Sequence, residues 1–394
     1  MKVLNITEFY SERGGGVRSH LTQKGHVSCQ LGHEAVVIAG GPRDSEEGYA
    51  GGARVIRVRG PSLPYDPTYH LLWRTRKVRS LVARERPDVL EIDSPYLAAV
   101  AGLSVPRSRF GIRTFVWHAD FIDTYLRTAL ERRISPDTAT LALAPLWAAV
   151  RAIADRCDAT FVAGRWMAEK LRAHGVPRVQ HLPFGVERNL FVPEARSEAV
   201  RRALLGPGRE RWALLVGVGR FAIEKRWDVV LDAFAMLRER REAALVLFGD
   251  GPERGALEAR ARGRDDVVFP GFERDRAKLA SALASADALV HGCPFETFGF
   301  AVAEAMSAGL PVVVPNAGGA SELADGASAE RYAALDPRAC ANAVERVLER
   351  DRAELSRAAV RAASGLLTVR EQFERTFEAY GELLEKRTRQ APSS

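Results

Sequence analysis

Cysteine is scarce in this chain: 394 residues contain four, Cys29, Cys157, Cys293 and Cys340. They are scattered, with no CxxC or Cys/His spacing, so neither a structural zinc nor a disulfide framework is implied. Buried, reduced thiols are the expected state. No apolar run reaches the length of a membrane span. The start, MKVLNITEFY, enters an apolar strand directly and lacks a signal-peptide pattern. A cytoplasmic location follows, with attachment to the inner face of a membrane as an option. No P-loop, no Asp-x-Asp metal motif in a suitable loop and no short repeat is visible, so no metal or other cofactor is expected. The formal charge is +7, with arginine heavily used. No nucleic-acid motif accompanies that charge, and nucleic acid is not an expected partner. Anionic substrates or an anionic lipid surface account for it instead.

What the chain does have is length enough for two cores and a regular alternation. KVLNIT, HEAVVIAG, ARVIRVRG, PDVLEID, GIRTFVWH and ATFVAG read as strands. Helical patterns separate most of them, among them VRSHLTQKGHVSCQL and TYHLLWRTRKVRSLVARE. The stretch LPFGVERNLFVPEARSEAV has weak periodicity and reads as a connection. The alternation then restarts with WALLVGVG, AALVLFGDG, DVVFPGF, ALVHG and PVVVPN as strands. Alternation of this kind predicts α/β architecture with two doubly wound parallel sheets. The expected boundaries are 1–186 and 187–366, a last helix over 367–386 and a frayed tail over 387–394. Ligands of such sheets bind at the carboxyl ends of the strands.

Three stretches carry chemistry. Gly14-Gly15-Gly16 would open the first helix, where backbone amides can meet an anion; a flexible turn is the other reading. Gly217-Val218-Gly219-Arg220-Phe221-Ala222 matches a loose GxGxxA dinucleotide fingerprint after a strand, which keeps an NAD-dependent oxidoreductase open. Arg220 and Lys225 also read as two cations for one phosphate cluster. In HGCPFETFGFAVAEAMSAG a helix starting near Phe298 offers the amides of Phe298, Gly299 and Phe300 to a diphosphate. Glu296 and Glu304 lie eight positions apart around that start. Carboxylates accept hydrogen bonds only, so they grip hydroxyls. Two of them flanking an anion site suit a nucleotide sugar, with ribose at one end and hexose at the other.

This last stretch resembles the EX7E signature of retaining glycosyltransferases of family 4. GGGVRSHL, WHADF, LPFGVERNLFVP, GRFAIEKRWDVVLDAF, FGDGPER, PGF and GLPVVVPNAGGASEL resemble further blocks of that family, in its order. The family has GVD where this chain has Gly185-Val186-Glu187. The resemblance implies a GT-B fold: two Rossmann-like domains facing across a cleft, the amino-terminal one for the acceptor and the carboxy-terminal one for the donor. The last helix would return to the amino-terminal domain.

It also implies roles. Arg220 and Lys225 would bind the diphosphate, Glu296 the sugar hydroxyls and Glu304 the ribose. The Phe298-Gly299-Phe300 backbone would touch sugar and phosphate. Gly15 and Gly16 would approach the phosphates, while Gly249, Gly251 and Phe272 would lie near the nucleoside. His118 would sit by the reacting sugar. Asp120 would face the acceptor or cap a helix. Tyr65, Tyr69, Trp73, Tyr96 and Tyr125 would line an acceptor surface or simply pack. The implied reaction is metal-independent transfer, with retention, of a mannosyl- or glucosyl-type hexose. It runs from a UDP- or GDP-sugar to a hydroxyl of a glycan, glycolipid or natural-product aglycone. A non-hydrolysing sugar-nucleotide epimerase of the same fold is the nearer alternative. The basic helix over 70–86 would either lie on an anionic membrane or pack against a core.

Overall fold

The computed structural model describes residues 1–10, 15–48, 52–64, 66–131, 133–324 and 326–390. They divide into two compact units, Met1–Phe184 with the helix Val369–Gln390, and Gly185–Thr368.

The first unit holds an eight-stranded sheet. Its strands are β1 (Lys2–Thr7), β2 (Glu34–Gly41), β3 (Ser45–Gly48), β4 (Ala53–Arg59), β5 (Val89–Ile92), β6 (Ile112–Trp117), β7 (Ala159–Val162) and β8 (Val179–His181). The order is β3-β4-β2-β1-β5-β6-β7-β8. Every pairing is parallel except that of β3, a polar strand which runs antiparallel on the edge beside β4. The near-continuous apolar runs of β1 and β2 are what strands covered on both faces require, and their residues are buried almost throughout. Helix Thr75–Glu85 turns Val78 and Val82 into that core. It is shorter than the periodicity predicts, because His70 bridges to Ser62 before the helix begins. The last helix returns Phe373, Phe377 and Tyr380 to the core of this unit. It runs on to Gln390 rather than ending at 386, and Arg387 donates to the carbonyls of Phe110 and Arg107. Cys29 is exposed, contrary to expectation, while the other three thiols are buried.

The second unit holds six parallel strands: β9 (Ala213–Val218), β10 (Ala243–Phe248), β11 (Val267–Gly271), β12 (Ala288–Val290), β13 (Val312–Pro315) and β14 (Ala329–Tyr332). Their order is β11-β10-β9-β12-β13-β14. Successive strands leave β9 in one direction and β12 in the other, so the switch point lies between these two neighbours. The stretch read as a connection is largely part of this unit. Phe191 is fully buried in its core, and Val186 pairs with Thr368. That pairing places the unit boundaries at 184/185 and 368/369. Among the described residues no helix is long and apolar enough to cross a membrane.

Candidate functional site

The carboxyl ends of β9, β10 and β12 carry the donor-type residues. After β9 the chain makes a short 3-10 turn, Ile223–Lys225, and Arg226 adopts a left-handed conformation before helix Trp227–Arg238. Gly292, just beyond β12, lets that loop pass: a Cβ there would lie 2.6 Å from the carbonyl oxygens of both Lys225 and Arg226. The close passage brings the Lys225 ammonium onto Glu296 in a direct ion pair. His291 Nε2 lies 3.4 Å from the same carboxylate oxygen. Burial works against charge on both partners. For Glu296 the Lys225 and His291 contacts outweigh it and hold the carboxyl well below its usual range. For Lys225 the carboxylate likewise outweighs burial and raises the ammonium. Cys293 is buried alongside, which pushes its thiol up to about 12. His291, Cys293 and Glu296 bring ligand-type atoms within 4.8 Å of one another, and the cation bound to that carboxylate is the chain's own Lys225.

Helix Phe300–Ser307 begins two residues later than expected near Phe298, because Gly299 caps it at φ 102°. A side chain at Gly299 would face both that backbone strain and the Cα of Ala320 at 3.3 Å. Phe298 is buried and packs edge-on against Phe300, ring centroids 5.1 Å apart. Its ring therefore belongs to packing, and what the stretch offers a ligand is the amino-terminal end of the helix. The Gly319 amide donates to the Glu296 carbonyl at 2.6 Å, which fixes the loop bearing Glu296.

Glu304 lies one turn into the helix and is buried. Burial raises its carboxyl, opposed by Arg276. Arg276 Nη2 donates to Glu304 at 2.6 Å and to Glu187 at 2.9 Å. Sequence reasoning missed Arg276. Its only signal was a cation just after Asp275, a helix-capping residue that accepts from Ala277 and Lys278.

Local packing also requires the glycines. A Cβ at Gly217 would lie 2.6 Å from the Trp227 ring, and one at Gly219 3.2 Å from it. At Gly249 a Cβ would lie 1.9 Å from the Gly219 carbonyl oxygen, and at Gly251 2.4 Å from that of Phe221. The GxGxxA match therefore has a packing reason that needs no dinucleotide. The same loops are laced by Gly219 N–H to Phe248, Phe221 N–H to Asp250 and Gly249 N–H to Gly271. Arg220 is half-buried and accepts at its carbonyl from Trp227 Nε1 at 3.0 Å. Phe272 follows β11 and is 50% exposed.

In the first unit, period-two geometry puts Glu91 and Asp93 on one face, and Thr114 and His118 on the same face of the neighbouring strand. His118 Nε2 meets Asp93 at 2.7 Å. Its ring stacks on Phe184 and lies edge-on to His20. Gly15 caps helix Gly16–Gln30 at φ 119°, with Tyr69 Oη 3.3 Å from where its Cβ would be. A Cβ on Gly16 would meet open space. Gly14 and Tyr65 lie outside the described residues. Tyr96 is 40% exposed and packs on Phe9 and Phe121; Phe9 in turn meets Tyr69. Trp73 and Tyr125 are exposed and Tyr69 is buried, so these aromatics do not form one surface. Asp120 is buried against Lys170, which also binds Asp123, and its Oδ1 accepts from the Asp123 amide at 3.5 Å, just ahead in the chain. In the basic helix, Arg74 and Lys77 are tied to Asp44.

A family model described as "Glycosyltransferase Family 4" matches residues 14–190, and one described as "Glycosyl transferases group 1" matches residues 213–350. A GDP-mannose-dependent alpha-(1-6)-phosphatidylinositol dimannoside mannosyltransferase of Mycobacterium tuberculosis (strain ATCC 25177 / H37Ra) is 30% identical over 366 residues, 92% of each chain. A GDP-mannose-dependent alpha-mannosyltransferase of Mycobacterium tuberculosis (strain CDC 1551 / Oshkosh) is 33% identical over 331 residues, covering 82% of this chain and 81% of the relative. Among solved structures, sucrose-phosphate synthase from Thermosynechococcus elongatus superposes with a TM-score of 0.79 at 19% identity, covering 98% of this chain and 99% of that one. The Anabaena protein HepE, solved with UDP and glucose, superposes with a TM-score of 0.73 at 18% identity, covering 97% and 100%. These likenesses show the shared GT-B fold. The chain belongs to glycosyltransferase family 4 and is a glycosyltransferase.

Proposed function

We propose that the protein transfers a mannosyl residue from GDP-mannose, with retention of configuration and without a metal ion, to a hydroxyl of a glycan or lipid-linked acceptor. The observation that carries this reading is the Lys225–Glu296 pair at the switch point, beside the start of the helix that bears Glu304. The choice of GDP-mannose rests on the relatives, several of which are named for it. The acceptor class rests on the phosphatidylinositol mannoside named in one of them.

In this reading Arg220, Lys225 and the helix end stabilise the negative charge that develops on the diphosphate as the sugar departs. Fixed cations and dipoles serve this role because they need no reorganisation during the step. Losing one such group costs about 3–4 kcal/mol in the transition state. Glu296 takes sugar hydroxyls when Lys225 turns to the phosphate. Glu304 takes the ribose, which requires Arg276 to share or release that carboxylate. The departing phosphate oxygen accepts the acceptor's proton, so no separate base is assigned. In the first unit, Asp93 orients His118, which is assigned to hydrogen-bond a sugar hydroxyl. Contact with an anionic membrane would use the exposed Trp73, just before helix Thr75–Glu85, and Arg76 and Arg79 on the helix's exposed face.

The test is transfer from GDP-mannose and UDP-glucose to a panel of glycolipid and glycan acceptors, with the product's anomeric proton read by NMR. An α-linked product formed equally well in excess EDTA is expected. A β-linked product, or activity abolished by EDTA and restored by a divalent ion, overturns the proposal.

A further inference from the structure

The first unit contains buried charge that no assigned role uses. Asn5, Glu91 and Thr114 stand opposite one another on β1, β5 and β6, forming a polar row across the middle of the sheet. All three are 0–1% exposed. Lys24 and Tyr380 cover the row from helix Gly16–Gln30 and from the last helix, and both are also buried. Lys24 Nζ donates to Glu91 at 2.6 Å and to Tyr380 Oη at 2.8 Å. Tyr380 Oη donates to the other Glu91 oxygen, which Thr114 Oγ1 also reaches at 3.2 Å. Asn5 Nδ2 then bridges two carboxylates, Glu91 at 2.7 Å and Asp93 at 2.8 Å. Asp93 in turn holds His118.

A buried ion pair is weak support for a fold, since apolar side chains of similar volume often serve as well or better. Here the row lies in central parallel strands, where apolar residues are the rule on both faces. Its connected end is the histidine of the proposed reaction. We propose that Lys24, Glu91 and Tyr380 are positioning residues, which act through Asn5 and Asp93 to fix the ring orientation and proton affinity of His118. This inference rests on the functional reading of His118 given above.

Among the described residues, Asp93, His20 and Phe184 face His118. Asp93 meets it from the loop after β5, His20 from helix Gly16–Gln30, and Phe184 stacks on it without charge. Asp120, two residues on, is turned to Lys170. Burial holds His20 in its neutral form. Asp93 is raised by burial, opposed by His118, and raised again by Glu91 more than Lys24 lowers it. The charge at Glu91 thus reaches Asp93, the direct partner of His118.

The test replaces the pair together, as Lys24→Met with Glu91→Leu, in the full-length protein. A structural role and a positioning role then separate. The double variant removes both charges together, so neither is left buried without its partner. Its kcat for transfer should fall about tenfold or more, the scale for a histidine that loses an orienting partner. The His118 ring resonances and their titration, read by NMR on 15N-histidine-labelled protein, should move. Tyr380→Phe keeps the ring packed, removes a donor to Glu91 and should also move the same resonances. Phe377→Leu, which loosens the same helix without touching the row, should lower stability and leave the His118 titration in place. An unchanged titration in both the double variant and Tyr380→Phe overturns the inference; if the double variant does not fold, Tyr380→Phe alone decides. Wild-type transfer by His118→Ala would instead remove the functional reading on which the inference rests.

Discussion

Gly292→Ala tests how the loop bearing Lys225 is held. Gly292 is not at a positive φ, so alanine is allowed by its backbone. The obstacle is space: the new Cβ would sit 2.6 Å from the carbonyl oxygens of Lys225 and Arg226. Ordinary contact requires the loop to retreat by about 0.8 Å. Overpacking of this kind costs about 1–3 kcal/mol. For a unit of this size the thermal midpoint should fall by about 2–12 °C. The same retreat carries Lys225 away from Glu296, and a displacement of ~1 Å near the reacting groups can cost ~100-fold in rate. The matched control is Gly255→Ala, inside helix Arg254–Arg260, where a Cβ meets nothing within 4 Å. That change should stabilise by about 0.5–1 kcal/mol and leave donor kinetics alone. Differential scanning calorimetry and donor kcat/KM on both variants decide the matter. If Gly292→Ala tracked Gly255→Ala in both, the loop would not pass over Gly292 as described.

The remaining predictions concern charge. Glu304→Ala should weaken binding of bare nucleotide by about 10–100-fold, the worth of a hydrogen bond to a charged group, whereas Glu296→Ala should spare nucleotide binding and depress transfer; equal losses in calorimetric affinity would contradict these roles. Arg276→Ala leaves the buried Glu304 carboxyl, already raised, without its opposing cation, so nucleotide affinity should drop further at pH 6 than at pH 8; a pH-independent loss would show that Arg276 does not control that proton. Burial pushes Glu85 up, but Arg54, Lys2 and Arg84 outweigh it and hold the carboxyl at about 2, against 4.5 ordinarily. Because the folded value is the lower one, its stabilisation is present above pH 4.5 and is lost as the pH falls toward 2. Its cationic partners are 24–55% exposed, so screening reduces the contribution to on the order of 1 kcal/mol. Urea midpoints of Glu85→Gln should therefore lie below wild type at pH 7 and converge with it near pH 2, and parallel curves would refute the assignment.

The sequence by itself determined the α/β class, the two halves and the family. Near-continuous apolar strands alternating with helical patterns admit few architectures, and motif order along the chain is a one-dimensional property. It also located Glu296, Glu304, Lys225 and His118 at strand ends or helix starts, since those positions follow from local periodicity. What it could not supply were the partners. Arg276 lies far from Glu187 and Glu304 in sequence, and it meets them only because the start of its helix lies beside both. The glycines at 217 and 219 read locally as a dinucleotide fingerprint. Only the tertiary structure shows that the Trp227 ring lies against both. Asp120 read as an acceptor contact or a helix cap, and its pairing with Lys170 was not legible locally. The row from Tyr380 to His118 was equally out of reach. Its members are dispersed from Asn5 to the last helix, and hydrogen bonding across three strands and two helices is decided by tertiary register, which no local pattern encodes.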